Sequence, residues 1–336
     1  MEGGTLPREV SYAELLAAEA EVDRAVDASP EIDRFCSSLD WVAPAHETLQ
    51  ARRETWIRRV GEGFLCLAVR PDERFGPVIE PLECLWGFAC PFLGGDVAAL
   101  VDGFFADLAA RSPQWQLGVL PGIPAHSALL LHLLHRTPAG LRVAVGPPMQ
   151  RYVAALEGGV DGYLARRTAK FREGLRRAER AAAGAGVRFE RIVDPRAGEV
   201  AGLLERINAI EARSWKGLAG RGVNRGAMRR FYARMIARLV ARSRLRLIFA
   251  RLDEADVGYI YGGLRGSLYR GLQFSFDDRW RALALGNLLQ MRMIAWLVEA
   301  GLTSYDLGQP MAYKRRWGEP GPTTVAVYVV NAGAMR

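Results

Sequence analysis

Residues 273–290, QFSFDDRWRALALGNLLQ, constrain the fold more than any other stretch of the chain. An apolar strand pattern runs into two aspartates and a basic loop, then into a helix whose first turn carries Gly286. Arg281, Ala284 and Gly286 fit the spacing R-x-x-G-x-G, with alanine in the first glycine slot. Small residues let a backbone approach a phosphate closely, and a helix N-terminus presents unpaired N–H groups at the positive end of a dipole. The stretch admits a polyphosphate site, and it equally admits a plain strand-to-helix turn.

A chain of 336 residues suits two domains, each with its own core. Hydrophobic residues make up 50% and charged residues 24%, an ordinary globular composition that argues against extensive disorder. The formal net charge of +8 favours a polyanionic partner: coenzyme A, an acidic carrier protein, tRNA and a membrane surface all meet that condition. The N-terminal residues lack a basic region followed by an apolar run, and no apolar stretch approaches a bilayer span, so the expected localisation is cytoplasmic. Cys36, Cys66, Cys84 and Cys90 show no C-x-x-C spacing and sit in apolar surroundings, which reads as buried free thiols.

The first half alternates helix and strand. A helix is expected over 11–25 and another after Pro44; strands over 64–69, 115–120, 141–145 and 152–156; and a helix over 97–110 with one apolar stripe. Glycines at 158, 159 and 162 mark a break. Residues 166–180 then carry seven cations against Glu173 and Glu179, and Leu164, Phe171, Leu175 and Ala178 share the opposite face. This basic amphipathic helix is either a solvated face or a surface for a carrier, tRNA or an acidic substrate. A strand over 187–193 and a helix over 197–216 follow, the latter ending in IEARSWKG, where Glu211, Arg213, Trp215 and Lys216 crowd a helix terminus beside a glycine-rich loop. After a helix over 228–242, strands over 244–251, 257–263 and 268–276 joined by short turns predict an antiparallel meander. A helix over 285–299, a strand over 303–307, an irregular basic segment and a last strand over 323–330 complete the chain.

No G-x-S-x-G elbow, P-loop or dinucleotide fingerprint is present. His132 and His135 lie three apart on an apolar helix with no third clustered ligand, so no metal site is expected.

The order of elements and the turn at 281–286 resemble the GNAT acyltransferase superfamily, more specifically its FemAB-like branch with the CelD-like acetyltransferase domains. The resemblance is carried by KFREGLRRAERAAAGAGVRFERI (170–192), IEARSWKG (210–217), the meander into LGNLLQ (285–290) and YDLGQPMAYKRRWG (305–318). It covers residues 150–330, with the first half fitting a companion domain more loosely. It implies an α/β fold with a mixed sheet and two GNAT-like domains in tandem: residues 1–157 degenerate, residues 158–336 the acyltransferase domain. It implies N-acyl transfer by direct attack of an amine on the thioester of acyl-CoA or an acyl carrier protein, without metal. The acceptor would be a peptide or amino-sugar amine.

Carried onto this sequence, the resemblance places the donor on Gln273, Phe274, Ser275, Arg281, Ala284, Leu285, Gly286 and Asn287. The strand before the turn often bears a glutamate base in that superfamily; here its polar residues are Tyr269, Arg270, Gln273 and Ser275. Asp306 and Glu211 are then the carboxylates available for proton transfer, and Tyr313 matches a tyrosine that protonates the thiolate. Arg213, Trp215, Lys216, Lys314, Arg315 and Trp317 are the implied acceptor contacts. Residues 166–180 are a possible docking face for an acidic carrier, and stable nucleic-acid or membrane binding is not expected. Two alternatives remain open: a FemAB-like transferase using aminoacyl-tRNA, and a non-catalytic GNAT-like binding module.

Overall fold

The computed structural model describes residues 7–111 and 114–331, so residues 1–6, part of the stretch read as lacking a signal peptide, lie outside the described residues. The chain forms two compact units, Met1–Gln150 with Pro322–Arg336, and Arg151–Gly321. This division differs at both ends from a break at residue 157. Residues 153–155 pair with a strand of the second unit, and the last strand runs back to pair in the first.

In the first unit β1 (Arg8–Val10), α1 (Tyr12–Ala17), α2 (Glu19–Ala28) and α3 (Leu39–Leu49) precede β2 (Glu54–Val60), β3 (Gly63–Asp72) and β4 (Gly76–Pro81). Then come β5 (Phe92–Leu93), α4 (Val97–Ala110), β6 (Leu117–Pro124), α5 (Ala128–His135) and β7 (Leu141–Val145). The helix expected over 11–25 is broken at Ala18, which caps α1 and opens α2. Pro44 lies inside α3 rather than before it; residues 39–46 are all buried, so packing offsets the hydrogen bond that proline cannot donate. Phe104, Val101, Leu65, Leu120 and Ile123 stand at the centre of this unit's core.

The second unit contains β8 (Met149–Ala155) from Arg151 on, α6 (Gly159–Ala165), α7 (Ala169–Gly184) and β9 (Arg188–Ile192), then α8 (Val200–Arg213), α9 (Trp215–Leu218) and α10 (Gly226–Ala241). The meander follows as β10 (Leu245–Leu252), β11 (Ala255–Arg265) and β12 (Leu268–Phe276), both pairings antiparallel. After α11 (Leu285–Glu299) and β13 (Ser304–Asp306), β14 (Glu319–Asn331) ends the described chain. Within this unit the strand order is β8-β13-β12-β11-β10-β9. From Pro322 on, β14 belongs to the first unit, where it pairs with β6 and β7.

Thr168 caps α7 by accepting the Phe171 N–H at 3.2 Å, and Leu175, Ala178 and Ala182 form its buried stripe. Its cations Arg176, Arg177 and Arg180 face water. The helix expected over 197–216 is interrupted at Ser214. That residue adopts an extended conformation, and its hydroxyl accepts from Gly217 N–H at 3.1 Å while donating to the Glu211 carbonyl at 2.8 Å, a local competition that ends α8 and starts α9.

Candidate active site

Between β12 and β13 the sheet opens. The parallel pairing is confined to Leu268↔Ser304, Tyr269↔Tyr305 and Arg270↔Asp306, although β12 continues to Phe276. A register shift between Tyr261 and Gly262 on β11 marks a bulge where Leu272 is passed over. Beyond it β12 keeps its β11 neighbour but has no β13 partner, and α11 fills in behind: the rings of Phe274 and Phe276 lie against Gly286.

One polar cluster borders this open half. Glu211, at the end of α8, is fully buried; its Oε2 accepts from the Tyr259 hydroxyl at 2.9 Å and its Oε1 from the Val223 N–H at 3.2 Å. The Lys216 ammonium stands 3.5 Å from Oε1 and donates to the Phe274 carbonyl at 3.2 Å and to Gln273 Oε1 at 3.4 Å. A carbonyl bonded in this way is turned away from β11, so Lys216 occupies the unpaired edge of β12. Gln273 in turn donates to the Tyr232 hydroxyl at 2.6 Å. Burial pushes the Lys216 ammonium below its ordinary value, against the pull of Glu211, and raises the Tyr232 phenol to about 12.

A second cluster closes the paired end. Asp306 is ion-paired with Arg270 at 2.9 Å and accepts from the Gly308 N–H at 2.7 Å, with Arg151 3.3 Å from its other oxygen. Both arginines and the aspartate are buried. Lys314 donates to the Gln309 carbonyl at 2.7 Å, and burial, then Arg270, lowers its ammonium to about 8 while Asp306 opposes the fall. Tyr232 feels both clusters: Glu211 raises its pKa and Arg270 lowers it.

At the turn before α11, Ala284 takes a left-handed conformation (φ 52°), which alanine adopts only at a cost. No side chain caps this helix, and in its first turn the Asn287 N–H donates to the Ala284 carbonyl at 2.9 Å, which leaves the Leu285 and Gly286 N–H groups to serve a ligand. Arg281 is exposed and held by Asp278 at 2.8 Å. Gly286 has a packing reason as well: a Cβ there would stand 3.1 Å from the Phe274 ring. Asp277, fully buried, accepts from Arg279 and Arg213 and is held down at about 2, Arg279 contributing most.

The first unit repeats the arrangement of strands with its opening filled. β4 and β6 pair in parallel only at Val78↔Leu117 and Ile79↔Gly118, as β12 and β13 do. There the chain between β4 and β5, residues 82–91, packs on β6: a Cβ on Gly122 would fall 2.4 Å from the Ala89 carbonyl oxygen. The N-terminus of α4 is capped by Asp96, whose carboxylate accepts from the Ala99 N–H at 2.9 Å and repels a second anion. Among the described residues, the first unit thus has its opening filled and the N-terminus of α4 capped by a carboxylate.

The structure thus gathers Glu211, Lys216, Gln273 and the Phe274 backbone at one edge, and Asp306 and Lys314 at the other end of the opening. Tyr313 is partly buried, its phenol raised by that burial. Arg315 donates to the Tyr152 hydroxyl at 2.8 Å, Arg213 turns to Asp277, and Ser275 is buried. Trp317 is a core residue packed edge-on to Phe171, and Trp215 faces water. Tyr259 and Tyr232 escaped sequence reasoning; the alternation of Tyr259 and Tyr261 on β11 was the available signal. Among the described residues no group of three or more His, Cys, Asp or Glu could hold a metal, and the burial-raised Cys66, Cys84 and Cys90 thiols, each at about 12, are inert. No helix among them is long and apolar enough to cross a membrane.

Residues 169–315 match the family model of the acetyltransferase (GNAT) domain. Across nearly the whole chain the fold is similar to the crystal structure of FemX, at 13% identity and a TM-score of 0.63, covering 97% of this chain and 95% of that one. It is also similar to the C-terminal domain of a putative lysylphosphatidylglycerol synthetase from Agrobacterium fabrum (16% identity, TM-score 0.56, covering 92% and 91%). A conserved protein of unknown function from Bacteroides thetaiotaomicron has 10% identity and a TM-score of 0.61, covering 96% and 99%. No curated protein matches the chain by sequence.

Proposed function

We propose that the chain is an N-acyltransferase moving an acyl group from acyl-CoA to an amine of a peptide or amino-sugar, a reading supported by the match of residues 169–315 to the acetyltransferase (GNAT) family model. The observation that carries this reading is the unpaired half of β12 with the Glu211–Lys216 pair at its edge. A thioester arm laid along that edge meets strand backbone that β13 does not pair, with Lys216 already on the Phe274 carbonyl, and the first turn of α11 offers N–H groups to its pyrophosphate. The amine nitrogen forms the new bond to the acyl carbon as the carbon–sulfur bond breaks. The amine's proton passes toward Glu211, which lies behind Lys216 and Tyr259. The Lys216 ammonium, at the edge the acyl group occupies, steadies the developing oxyanion. Tyr313 supplies the proton for the leaving thiolate. Asp306, committed to two arginines, acts by holding Arg270 rather than as a base.

Calorimetric titration with acetyl-CoA tests the donor. Binding that weakens about tenfold or more in Arg281→Glu is expected from a lost charge-assisted contact, and unchanged affinity would sink the site. Transfer from an acyl carrier protein is a variant in which the exposed Arg176, Arg177 and Arg180 dock an acidic helix; charge reversal there that leaves carrier-dependent turnover intact removes it.

A further inference from the structure

From Ala212 to Leu252 the chain holds eleven arginines and one lysine and not one carboxylate. Five of these arginines, Arg221, Arg225, Arg229, Arg230 and Arg234, are exposed. Arg225, Arg229 and Arg230 crowd the start of α10, where the positive end of the helix dipole opposes them and no side chain caps the helix. The same segment exposes Trp215 at 52% and Leu218 at 69%, three apart on α9 and so on one side of it.

These apolar side chains are held in water by a built scaffold. Ser214 caps α9, and its far end closes with Gly220 N–H to the Gly217 carbonyl at 3.0 Å and Arg221 N–H to the Lys216 carbonyl at 2.8 Å. Gly217 packs so closely on α8 that a Cβ would lie 2.0 Å from the Glu211 carbonyl oxygen. The loop is then tied back by the Val223 N–H to the Glu211 carboxylate. A lobe so fixed, presenting tryptophan and leucine among arginines, has the chemistry of an interfacial anchor.

We propose that residues 214–230 dock the protein on an anionic phospholipid bilayer, with Trp215 and Leu218 seated among the headgroups and Arg221, Arg225, Arg229 and Arg230 on the lipid phosphates. Tryptophan favours the membrane–water boundary, an exposed leucine gains by leaving water there, and each basic residue near an anionic leaflet adds to the attraction. A nucleic acid would use the arginines and could stack on Trp215, but it offers nothing to Leu218. Stable membrane association was not expected from the sequence; peripheral docking needs no spanning helix. The lobe carries the backbone donor to Glu211, so docking also steadies the carboxylate at the site.

Sedimentation of the full chain with vesicles tests this, comparing phosphatidylcholine alone with a phosphatidylcholine–phosphatidylglycerol mixture. The protein should pellet with the mixed vesicles only and be released by salt. Trp215→Ala/Leu218→Ser and Arg221→Glu/Arg225→Glu should each weaken partitioning about tenfold, with circular dichroism melts unchanged because all four side chains are exposed. No binding to mixed vesicles, equal binding to both, or indifference to the Trp215/Leu218 pair overturns the proposal. Binding of bulk tRNA that the arginine variants abolish, without vesicle binding, overturns it too and marks a nucleic-acid surface.

Discussion

The Tyr259 hydroxyl donates to the Glu211 carboxylate at 2.9 Å, and both side chains are wholly closed to solvent. This carboxylate, with a phenol on one oxygen and an ammonium and a backbone N–H on the other, is the proton acceptor of the proposed reaction. Glu211→Gln keeps the volume and removes the proton acceptor. Turnover should fall about 100-fold or more, and the melting temperature should drop somewhat because Lys216 loses its counter-charge; Glu211→Ala should cost more, about 3 kcal/mol, because Lys216, Tyr259 and the Val223 N–H all lose their partner. Full activity in the glutamine variant would remove Glu211 from the mechanism.

Lys314 makes stability depend on pH. Its folded pKa of about 8 lies below the 10.5 of the unfolded chain, so the unfolded state binds the extra proton between those values. The burden on the folded state is complete below about pH 8 and is relieved as pH rises toward 10.5. Lys314→Met should therefore stabilise the protein at pH 7 by about 1–2 kcal/mol, and the gain should shrink above pH 9 in urea titrations. Transfer activity should drop in the same variant, separating the lysine's effect on the site from its effect on the fold.

Gly217→Ala tests the seat of α9. The added methyl would meet the Glu211 carbonyl oxygen at 2.0 Å, a backbone atom that cannot swing aside. Lifting α9 moves Lys216 off the Phe274 carbonyl, so turnover should fall by an order of magnitude or more, with about 2 kcal/mol of stability. A fully active alanine variant would contradict this placement of Lys216.

Asp277 predicts an acid limb. Its folded pKa of about 2, against 3.8 unfolded, gives stability that is present above 3.8 and lost as pH falls through about 2. Since Arg279 and Arg213 reach solvent, the contribution is about 1 kcal/mol after screening. Asp277→Asn should lose that amount at pH 7 and show a flatter acid-denaturation curve.

Much of the second unit was legible in the sequence. The meander, the turn before α11 and the strand after it follow from apolar alternation and short polar turns, and each pairs as that pattern demands. The Glu211 cluster was only half legible. IEARSWKG announced charged residues at a helix end, but Tyr259 reaches Glu211 through a register forty-eight residues distant, which no local period encodes. Trp317, which the resemblance implied as an acceptor contact, is a core ring packed against Phe171 from α7, again a pairing between residues far apart in the chain. Pro44 and Ser214 show local preference overruled in one case by burial and decisive in the other through a side-chain hydrogen bond.

The stopper formed by residues 82–91 in the first unit has a stoichiometric consequence. With Ala89 seated against Gly122 and Asp96 occupying the neighbouring helix end, the proposed donor would load one half of this duplicated architecture. A chain built from two similar halves should saturate with a single equivalent of donor, and its occupancy curve should be a simple hyperbola with no second, weaker phase.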